Sequence, residues 1–160
     1  MSSDRVAQAW QLLEQAYRAQ MEGDFDRAAE LYQESIALHP TAEAHTFLGW
    51  TYHFQGKIQD AISECKRAIH VDPDFGNPYN DIGAYLIALG RYDEAIPWLE
   101  QAKSAKRYEP RHFPYFNLGR VYLAKGLIQR AREEFQQALE IEPGYTLARQ
   151  AIESLRRMVN

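Results

Sequence analysis

The sequence predicts an all-α fold, a solenoid of four helix–turn–helix units followed by a C-terminal capping helix. Two observations support this prediction. First, glycines recur through the chain at spacings of 33, 34 and 36 residues. Second, small residues and prolines recur in the same phase, and self-similarity at such a period is the sequence signature of stacked repeats. No segment shows the alternation of polar and apolar residues that is typical of a strand, so we expect no sheet.

The repeated positions occur in a fixed order within each unit. The glycines of the main series are Gly23, Gly56, Gly90 and Gly126. An alanine follows each glycine by five residues, at Ala28, Ala61, Ala95 and Ala131. A further small residue comes seven residues later, at Ser35, Ala68, Ala102 and Ala138, and a proline closes each unit, at Pro40, Pro73, Pro110 and Pro143. Because glycine is typical of a helix end and proline cannot continue a helix, this order predicts two helices in each unit.

These positions divide the chain 1–160 into a single array of four units. Eight leading residues come first, the units are 9–41, 42–75, 76–111 and 112–145, and the tail is 146–160. The small residues allow the two helices of a unit to approach closely. In the tail, one apolar stripe is formed by Leu147, Ala151, Leu155 and Met158. This stripe predicts a ninth helix that caps the array, and no stretch is left for a separate catalytic domain.

The third unit differs from the others by an insertion. Pro110 follows Ala102 by eight residues, whereas the corresponding spacing is five residues in the other units. We expect the insertion to lengthen the second helix of this unit or to loosen the joint after it. The segment also carries the one basic cluster, formed by Lys103, Lys106, Arg107 and Arg111. The simplest interpretation is a solvated helix end, where positive charge suits the helix dipole; an acidic partner or a phosphate group is the alternative ligand.

Composition excludes several classes of function. The chain has 160 residues, 46% of them hydrophobic, and a net charge of −4, so we expect a water-soluble protein that does not bind nucleic acid. The single cysteine, Cys65, allows neither an intrachain disulfide nor a thiolate zinc site. The first residues lack the features of a signal peptide, and no apolar run is long enough to span a membrane. We therefore expect a cytoplasmic protein with no membrane partner.

The pattern resembles the tetratricopeptide repeat family, whose signature is W-x2-L-G-x2-Y, then A-x3-F, then P. The fourth unit matches it best, with Tyr115, Leu118, Gly119, Tyr122, Ala131, Phe135 and Pro143. The second unit has His45, Leu48, Gly49, Tyr52, Ala61, Cys65 and Pro73 at these positions. Because Cys65 stands where the family usually packs an aromatic ring, the resemblance implies that it is a buried core residue. The third has Tyr79, Ile82, Gly83, Leu86, Ala95 and Leu99, and the first unit is the weakest match. The resemblance covers residues 9–145 and implies a right-handed superhelix that serves as a scaffold or adaptor for segments of other proteins.

The first helix of each unit carries more apolar surface than one packing face needs. In the second unit, His45, Leu48, Gly49 and Tyr52 form one stripe, and Thr46, Trp50, His53 and Phe54 form another at helical spacing. In a stacked array the first helices line the concave wall, so this second stripe predicts a groove that binds a partner. The predicted groove residues are Tyr17, Thr46, Trp50, His53, Phe54, Asn77, Asn80, Ile87, Phe116 and Arg120. The alternative for part of the stripe is burial between neighbouring units.

We therefore predict a protein-interaction scaffold that binds a peptide segment in a concave aromatic groove. A self-associating structural module, using the weak first unit and Trp10, is the alternative. The resemblance also raises the possibility of a clamp for the acidic tails of chaperones. Because Tyr17, Trp50 and Ala84 stand where that clamp needs polar residues, we expect a less charged ligand. No motif indicates an enzyme, a metal site or a cofactor, and the five histidines lack a helical zinc spacing.

Overall fold

The computed structural model describes residues 3–159 of the chain. Across this range it contains nine helices and no strands, as the sequence predicts. The helices are α1 (Ser3–Met21), α2 (Phe25–Leu38), α3 (Ala42–Phe54), α4 (Ile58–Val71), α5 (Asn77–Ala88), α6 (Tyr92–Ser104), α7 (His112–Ala124), α8 (Ile128–Ile141) and α9 (Thr146–Val159). Each helix packs against the next one along the chain, which gives a solenoid of four helix pairs with α9 at the end. The unit boundaries stay a prediction, and α1 begins ahead of the first of them.

The turn within each helix pair is closed by a glycine with a left-handed backbone. The four glycines of the main series, Gly23, Gly56, Gly90 and Gly126, have φ between +74° and +83°. After α3, the amide of Lys57 donates to the carbonyl of Tyr52 at 2.8 Å, and the amide of Gly56 donates to the carbonyl of His53 at 3.0 Å. These bonds satisfy carbonyl groups that the end of the helix would leave unpaired. The turn therefore depends on a residue that accepts positive φ.

A second glycine series lies at the closest approach of the paired helices. A Cβ at Gly83 would overlap the side chain of Leu99, and a Cβ at Gly119 would overlap the ring of Phe135. Leu99 and Phe135 are fully buried, and Cys65 occupies the equivalent position against Gly49. The prediction that Cys65 is a core residue is confirmed. In the third and fourth pairs, the missing side chain on one helix therefore makes room for a large buried side chain on its partner.

The insertion in the third unit does not lengthen α6, which corrects the first of our two expectations. α6 has 13 residues, fewer than the 14 of α4 or α8. The inserted residues instead form an extended segment, 105–111, that pairs with the connection between α4 and α5. The amide of Arg107 donates to the carbonyl of Asp74 at 2.9 Å, and the amide of Gly76 donates to the carbonyl of Arg107 at 3.0 Å. We call residues 105–111 the insertion loop.

Ion pairs and a buried ring also hold the insertion loop. The guanidinium of Arg107 donates to Asp72 at 2.8 Å and to Glu43 at 3.2 Å, and it lies 4.2 Å from the ring centroid of Phe75. Tyr108 is 5% exposed and covers the backbone at Gly76, where a Cβ would overlap its ring. The loop is therefore fastened to the preceding helix pair, and this corrects the expectation of a loosened joint.

The basic cluster on this segment serves packing within the chain. Arg111 donates to the carbonyls of Lys103 at 2.9 Å and Ala105 at 2.6 Å, so it caps the C-terminus of α6. Lys103 is paired with Glu134 on α8 at 3.0 Å. Together with the pairs of Arg107, these contacts replace the solvated helix end that we expected. Arg107 is paired because the insertion brings it back beside Asp72 and Glu43.

The capping helix α9 packs on α8 through a stripe that differs from the predicted one. Ala148, Ile152 and Leu155 are buried, whereas Leu147 is 53% exposed and Met158 is 64% exposed. Both sets have helical spacing, so the sequence pattern alone does not distinguish them. The prediction was wrong for Leu147 and Met158 because the approach of α8 selects the face that includes Ala148.

Candidate functional site

The first helices of the pairs form the inner wall of the solenoid. α1, α3, α5 and α7 contact one another from pair to pair, in addition to contacting their own partners. Such contacts require these helices to lie on the shorter, concave side of the array. All ten predicted groove residues are on these four helices: Tyr17 on α1; Thr46, Trp50, His53 and Phe54 on α3; Asn77, Asn80 and Ile87 on α5; and Phe116 and Arg120 on α7.

Burial divides the predicted residues into two groups. Tyr17, Phe54 and Arg120 are exposed, and Trp50, His53, Asn77 and Phe116 are partly buried. The side chains of Thr46, Asn80 and Ile87 are at least nine-tenths buried. Ile87 packs among the buried residues of the main hydrophobic core. This burial corrects its assignment to the groove surface. The hydroxyl of Thr46 donates to the carbonyl of Ala42 at 2.7 Å, so Thr46 is satisfied within its own helix.

Aromatic rings cluster at the C-terminal half of α3. Phe54 is stacked on Phe25, with ring centroids 5.1 Å apart and an angle of 7° between the planes. Trp50 lies 5.3 Å from the same Phe54 ring, and His53 lies 5.0 Å from Tyr85 on α5. These contacts fix the rings while leaving Phe54 49% exposed. Rigid aromatic side chains offer contact area at a low entropic cost, which suits them to binding.

Phe116, by contrast, is held within the fold. Its ring lies 5.5 Å from Phe135 and 5.2 Å from Tyr145, in both cases between ring centroids. Phe116 is also packed against the main core cluster. The alternative considered from the sequence, burial between neighbouring elements, therefore describes Phe116 better than an open groove position does.

Two clefts open on the concave side, one on each side of Phe47. The first has a volume of about 440 Å³ and is lined by Leu13, Glu14, Tyr17, Arg18 and Phe47. The second has a volume of about 420 Å³ and is lined by Thr46, Phe47, Trp50, Asn77, Asn80, Asp81, Tyr108, Pro110 and Phe113. We call the second one the central cleft. It is bounded by α3, α5, α7 and the insertion loop, so the third unit's extra residues supply part of its wall.

A chain of hydrogen bonds runs across the concave face from α7 to α5. Arg120 donates to the amide oxygen of Asn117 at 3.0 Å, and the amide nitrogen of Asn117 donates to Asn80 at 3.0 Å. Both donors point the same way, from the exposed cation of Arg120 toward Asn80. Asp81 is the next residue on α5 and lies in the central cleft.

Our sequence prediction missed Asp81 and Asn117. Each stands two residues before a glycine of the second series, Gly83 or Gly119, and Phe47 stands two residues before Gly49. This position therefore faces the concave side in three consecutive units. The repeat phase indicates this position, but the predicted stripe lies one residue away from it.

The carboxyl group of Asp81 lies in an environment that disfavours its charge. Burial raises its pKa from 3.8 to about 7, and the neighbouring amide of Asn80 opposes that shift only in part. Within residues 3–159, no ion pair involves Asp81. Burial also raises the pKa values of Tyr85, Tyr108 and Cys65, and the charge of Asp81 raises them further. Asp81 is therefore an uncompensated carboxyl group inside a mostly apolar cleft.

This environment predicts a pH-dependent effect of Asp81→Asn on stability. The folded-state pKa is above the unfolded one, so wild-type stability from this group is present at low pH and is lost as pH rises from about 4 to about 7. Asparagine does not titrate. We expect Asp81→Asn to exceed the wild type in free energy of unfolding by about 2 kcal/mol at pH 8 and by much less at pH 5.

Urea denaturation at the two pH values measures this difference. The matched control is Asp60→Asn, because Asp60 is exposed in the first turn of α4. The control variant should differ from the wild type by only a few tenths of a kcal/mol at either pH. An Asp81→Asn variant that is less stable than the wild type at pH 8 would contradict the assignment.

The described part of the chain offers no evident site for metal chemistry. Across residues 3–159, no group of three His, Cys, Asp or Glu side chains is placed to hold a metal ion. His45, which heads the first stripe of α3, is instead hydrogen-bonded to the buried Glu64, with 2.7 Å between Nδ1 and Oε2. Among these residues, no helix combines the length and apolar character that a membrane span requires.

Two family models, both described as tetratricopeptide repeat, match residues 13–78 and 74–142 of the chain. Together they cover the four helix pairs almost completely. The chain belongs to the tetratricopeptide repeat family. This assignment agrees with the nine-helix solenoid and with the glycine positions at the helix crossings.

Several tetratricopeptide repeat proteins are similar in sequence over part of their length. The chain is 33% identical over 97 residues to small glutamine-rich tetratricopeptide repeat-containing protein 2 of Mycosarcoma maydis, covering 59% of this chain and 27% of the relative. It is 26% identical over 120 residues to the type IV pilus assembly protein PilF of Pseudomonas aeruginosa, covering 74% of this chain and 48% of PilF. The chain therefore spans less than half the length of these curated relatives.

Solved tetratricopeptide repeat structures superpose on most of the chain. The structure of Pseudomonas aeruginosa pilF matches with a TM-score of 0.89 at 21% identity, over 96% of this chain and 69% of that one. YrrB, described as having an unusual peptide-binding site, matches with a TM-score of 0.69 at 20% identity, over 92% and 75% of the two chains. The first tetratricopeptide domain of Spaghetti (RPAP3), bound to the HSP90 peptide SRMEEVD, matches with a TM-score of 0.68 at 19% identity, over 74% and 93%. At these identities the likeness concerns the fold.

Proposed function

We propose that this protein is an interaction scaffold that binds an extended segment of a partner protein along its concave face. The observation that supports the proposal best is the pair of clefts on either side of Phe47, with volumes of about 440 and 420 Å³. Both are lined by aromatic side chains on the first helices, and both open on the same wall. A segment that crosses α3 can therefore place one side chain in each cleft.

The family supports this class of function. YrrB and the Spaghetti domain are each described as binding peptides, and both share the solenoid fold of this chain. The concave face here differs in chemistry from a binder of an acidic peptide such as SRMEEVD. Arg18 is paired with Glu14 at 3.8 Å, which leaves Arg120 as the cation with no ion pair on the described part of this face. We therefore propose a ligand that is less acidic, with its apolar side chains in contact with Tyr17 and Trp50.

Self-association is the second candidate function. It is supported by the exposed apolar side chains of α9, Leu147 and Met158, which lie at the end of the array and not in the clefts. Sedimentation velocity over a wide range of concentrations separates the two proposals, because only self-association makes the sedimentation coefficient rise with concentration. A cytoplasmic location and the absence of nucleic-acid and membrane partners stay predictions.

Trp50→Ala is expected to weaken peptide binding strongly. Trp50 lines the central cleft and is only partly buried, so its loss removes contact area from the ligand more than from the core. We expect a loss of about 1–3 kcal/mol in binding free energy. Peptides selected from a displayed library of random 12-residue segments supply the probe, and fluorescence anisotropy of a labelled peptide measures the affinity.

The matched control is Trp10→Ala. Trp10 is 40% exposed on α1 and does not line either cleft. It should bind the selected peptide as the wild type does. Equal loss of affinity in both variants would contradict a concave site, as would a large loss of thermal stability in Trp50→Ala with unchanged binding.

A further inference from the structure

Across residues 3–159, Asp81 has no counter-charge, since none of the ion pairs there involves it. It lies on α5 in the central cleft, whose volume of about 420 Å³ accommodates one large side chain and the backbone beside it. Its neighbour in the cleft, Asn80, is uncharged. The nearest cation in the hydrogen-bond chain is Arg120, which is separated from Asp81 by two amide side chains. A cation brought by a ligand would supply the missing charge.

The walls of the cleft suit the rest of a basic side chain. Trp50 and Phe113 provide aromatic faces, and Tyr108 and Pro110 provide the apolar wall from the insertion loop. The methylene groups of lysine and arginine pack well on such surfaces, and their cations are attracted to aromatic rings. Asn77 adds an amide at the cleft that can pair with the backbone of a bound segment. An acidic side chain would instead meet the carboxyl group of Asp81 and be repelled.

The insertion loop builds one wall of the central cleft. Tyr108 and Pro110 belong to the insertion loop. The backbone hydrogen bonds that join Arg107 to Asp74 and Gly76 hold this loop beside α5. The other helix pairs are joined without such a loop. A cleft that is walled by the insertion loop and holds the unpaired carboxyl group of Asp81 gives a bound segment a defined register.

We propose that the central cleft is a subsite for one lysine or arginine side chain of the bound segment, with Asp81 as its ion-pair partner. This proposal rests on the proposed function, because it assumes that a peptide binds the concave face. It goes further in fixing the charge of one ligand residue. It also assigns a binding role to the insertion loop.

The test begins with the displayed library of 12-residue peptides. Selection against the wild-type protein is expected to enrich peptides with lysine or arginine at a fixed distance from an aromatic or aliphatic residue. Selection against Asp81→Asn is expected to lose that basic residue, and Asp60→Asn is expected to keep it. If no peptide binds the wild type, the proposed function and this subsite both fail. If peptides bind but lack a basic position, or keep it with Asp81→Asn, only the subsite is overturned.

A double-mutant cycle then tests the pairing directly. One enriched peptide is synthesised with its basic residue and with glutamine in its place, and each is titrated against the wild type, Asp81→Asn and Asp60→Asn. We expect each single change to raise Kd about tenfold and the two changes together to raise it little further. Independent, multiplicative effects would overturn the ion pair. Since Asp81→Asn is expected to be at least as stable as the wild type at neutral pH, circular dichroism will confirm that all variants are folded.

Discussion

Tyr108→Ala is expected to lower the free energy of unfolding by about 3 kcal/mol. The ring of Tyr108 is 5% exposed and fills the space that the missing side chain of Gly76 leaves on the chain before α5. Its loss opens a cavity between the insertion loop and α5, and it removes a wall of the central cleft. Urea denaturation measures the stability, and trypsin cleavage after Lys106 and Arg107 reports whether the loop detaches.

The matched control for the loop is Tyr108→Phe, which keeps the ring and removes only the hydroxyl group. We expect it to differ from the wild type by less than about 1 kcal/mol and to resist trypsin equally. If Tyr108→Ala retained the wild-type stability and protease resistance, the insertion loop would not depend on this ring. The loop would then be held by the backbone bonds and ion pairs of Arg107 and by the hydrogen bonds of Arg111 at the end of α6.

Gly83→Leu is expected to destabilise the fold by about 3 kcal/mol or more, through overpacking. Even a Cβ at Gly83 would overlap Leu99, which is fully buried between α5 and α6. A leucine side chain at the same place must push the two helices apart in the main core. Thermal and urea denaturation should both show the loss, together with a less cooperative transition.

Gly144→Leu makes the same chemical change where the chain has room. Gly144 lies in the exposed connection before α9, and the nearest heavy atom to a Cβ there is 3.7 Å away. We expect a change within about 0.5 kcal/mol. A similar loss in both variants would mean that leucine at these positions acts through the unfolded chain and not through the crossing of α5 and α6.

The helices were predictable because each is marked by local signals. The main glycine series ends the first helix of every pair with positive φ, and the second series marks where two helices touch. Both properties depend on residues a few positions apart, so they can be read from the chain without coordinates. The buried face of α9 was not predictable in the same way, because two apolar stripes fit the same helical period. Contact with α8 determines which of the two stripes is buried.

The candidate site was predictable in part. The repeat phase placed Trp50 and Asn80 on the concave wall, where both line the central cleft. It also placed Ile87 there, although the third helix pair buries that side chain in the core. Asp81 was missed because a single aspartate on a helix is common, and its significance depends on the cations that are absent around it.

The repeat period, the helices, their turns and the small residues at their crossings can be predicted from the chain, because they follow from backbone conformation and local spacing. The path of the insertion loop, the pairing of Arg107 with Asp72 and Glu43, and the position of Asp81 in the central cleft depend on tertiary contacts. These features join residues as far apart as Glu43 and Arg107, and their energies depend on distance and burial in space, which no local pattern of residues specifies.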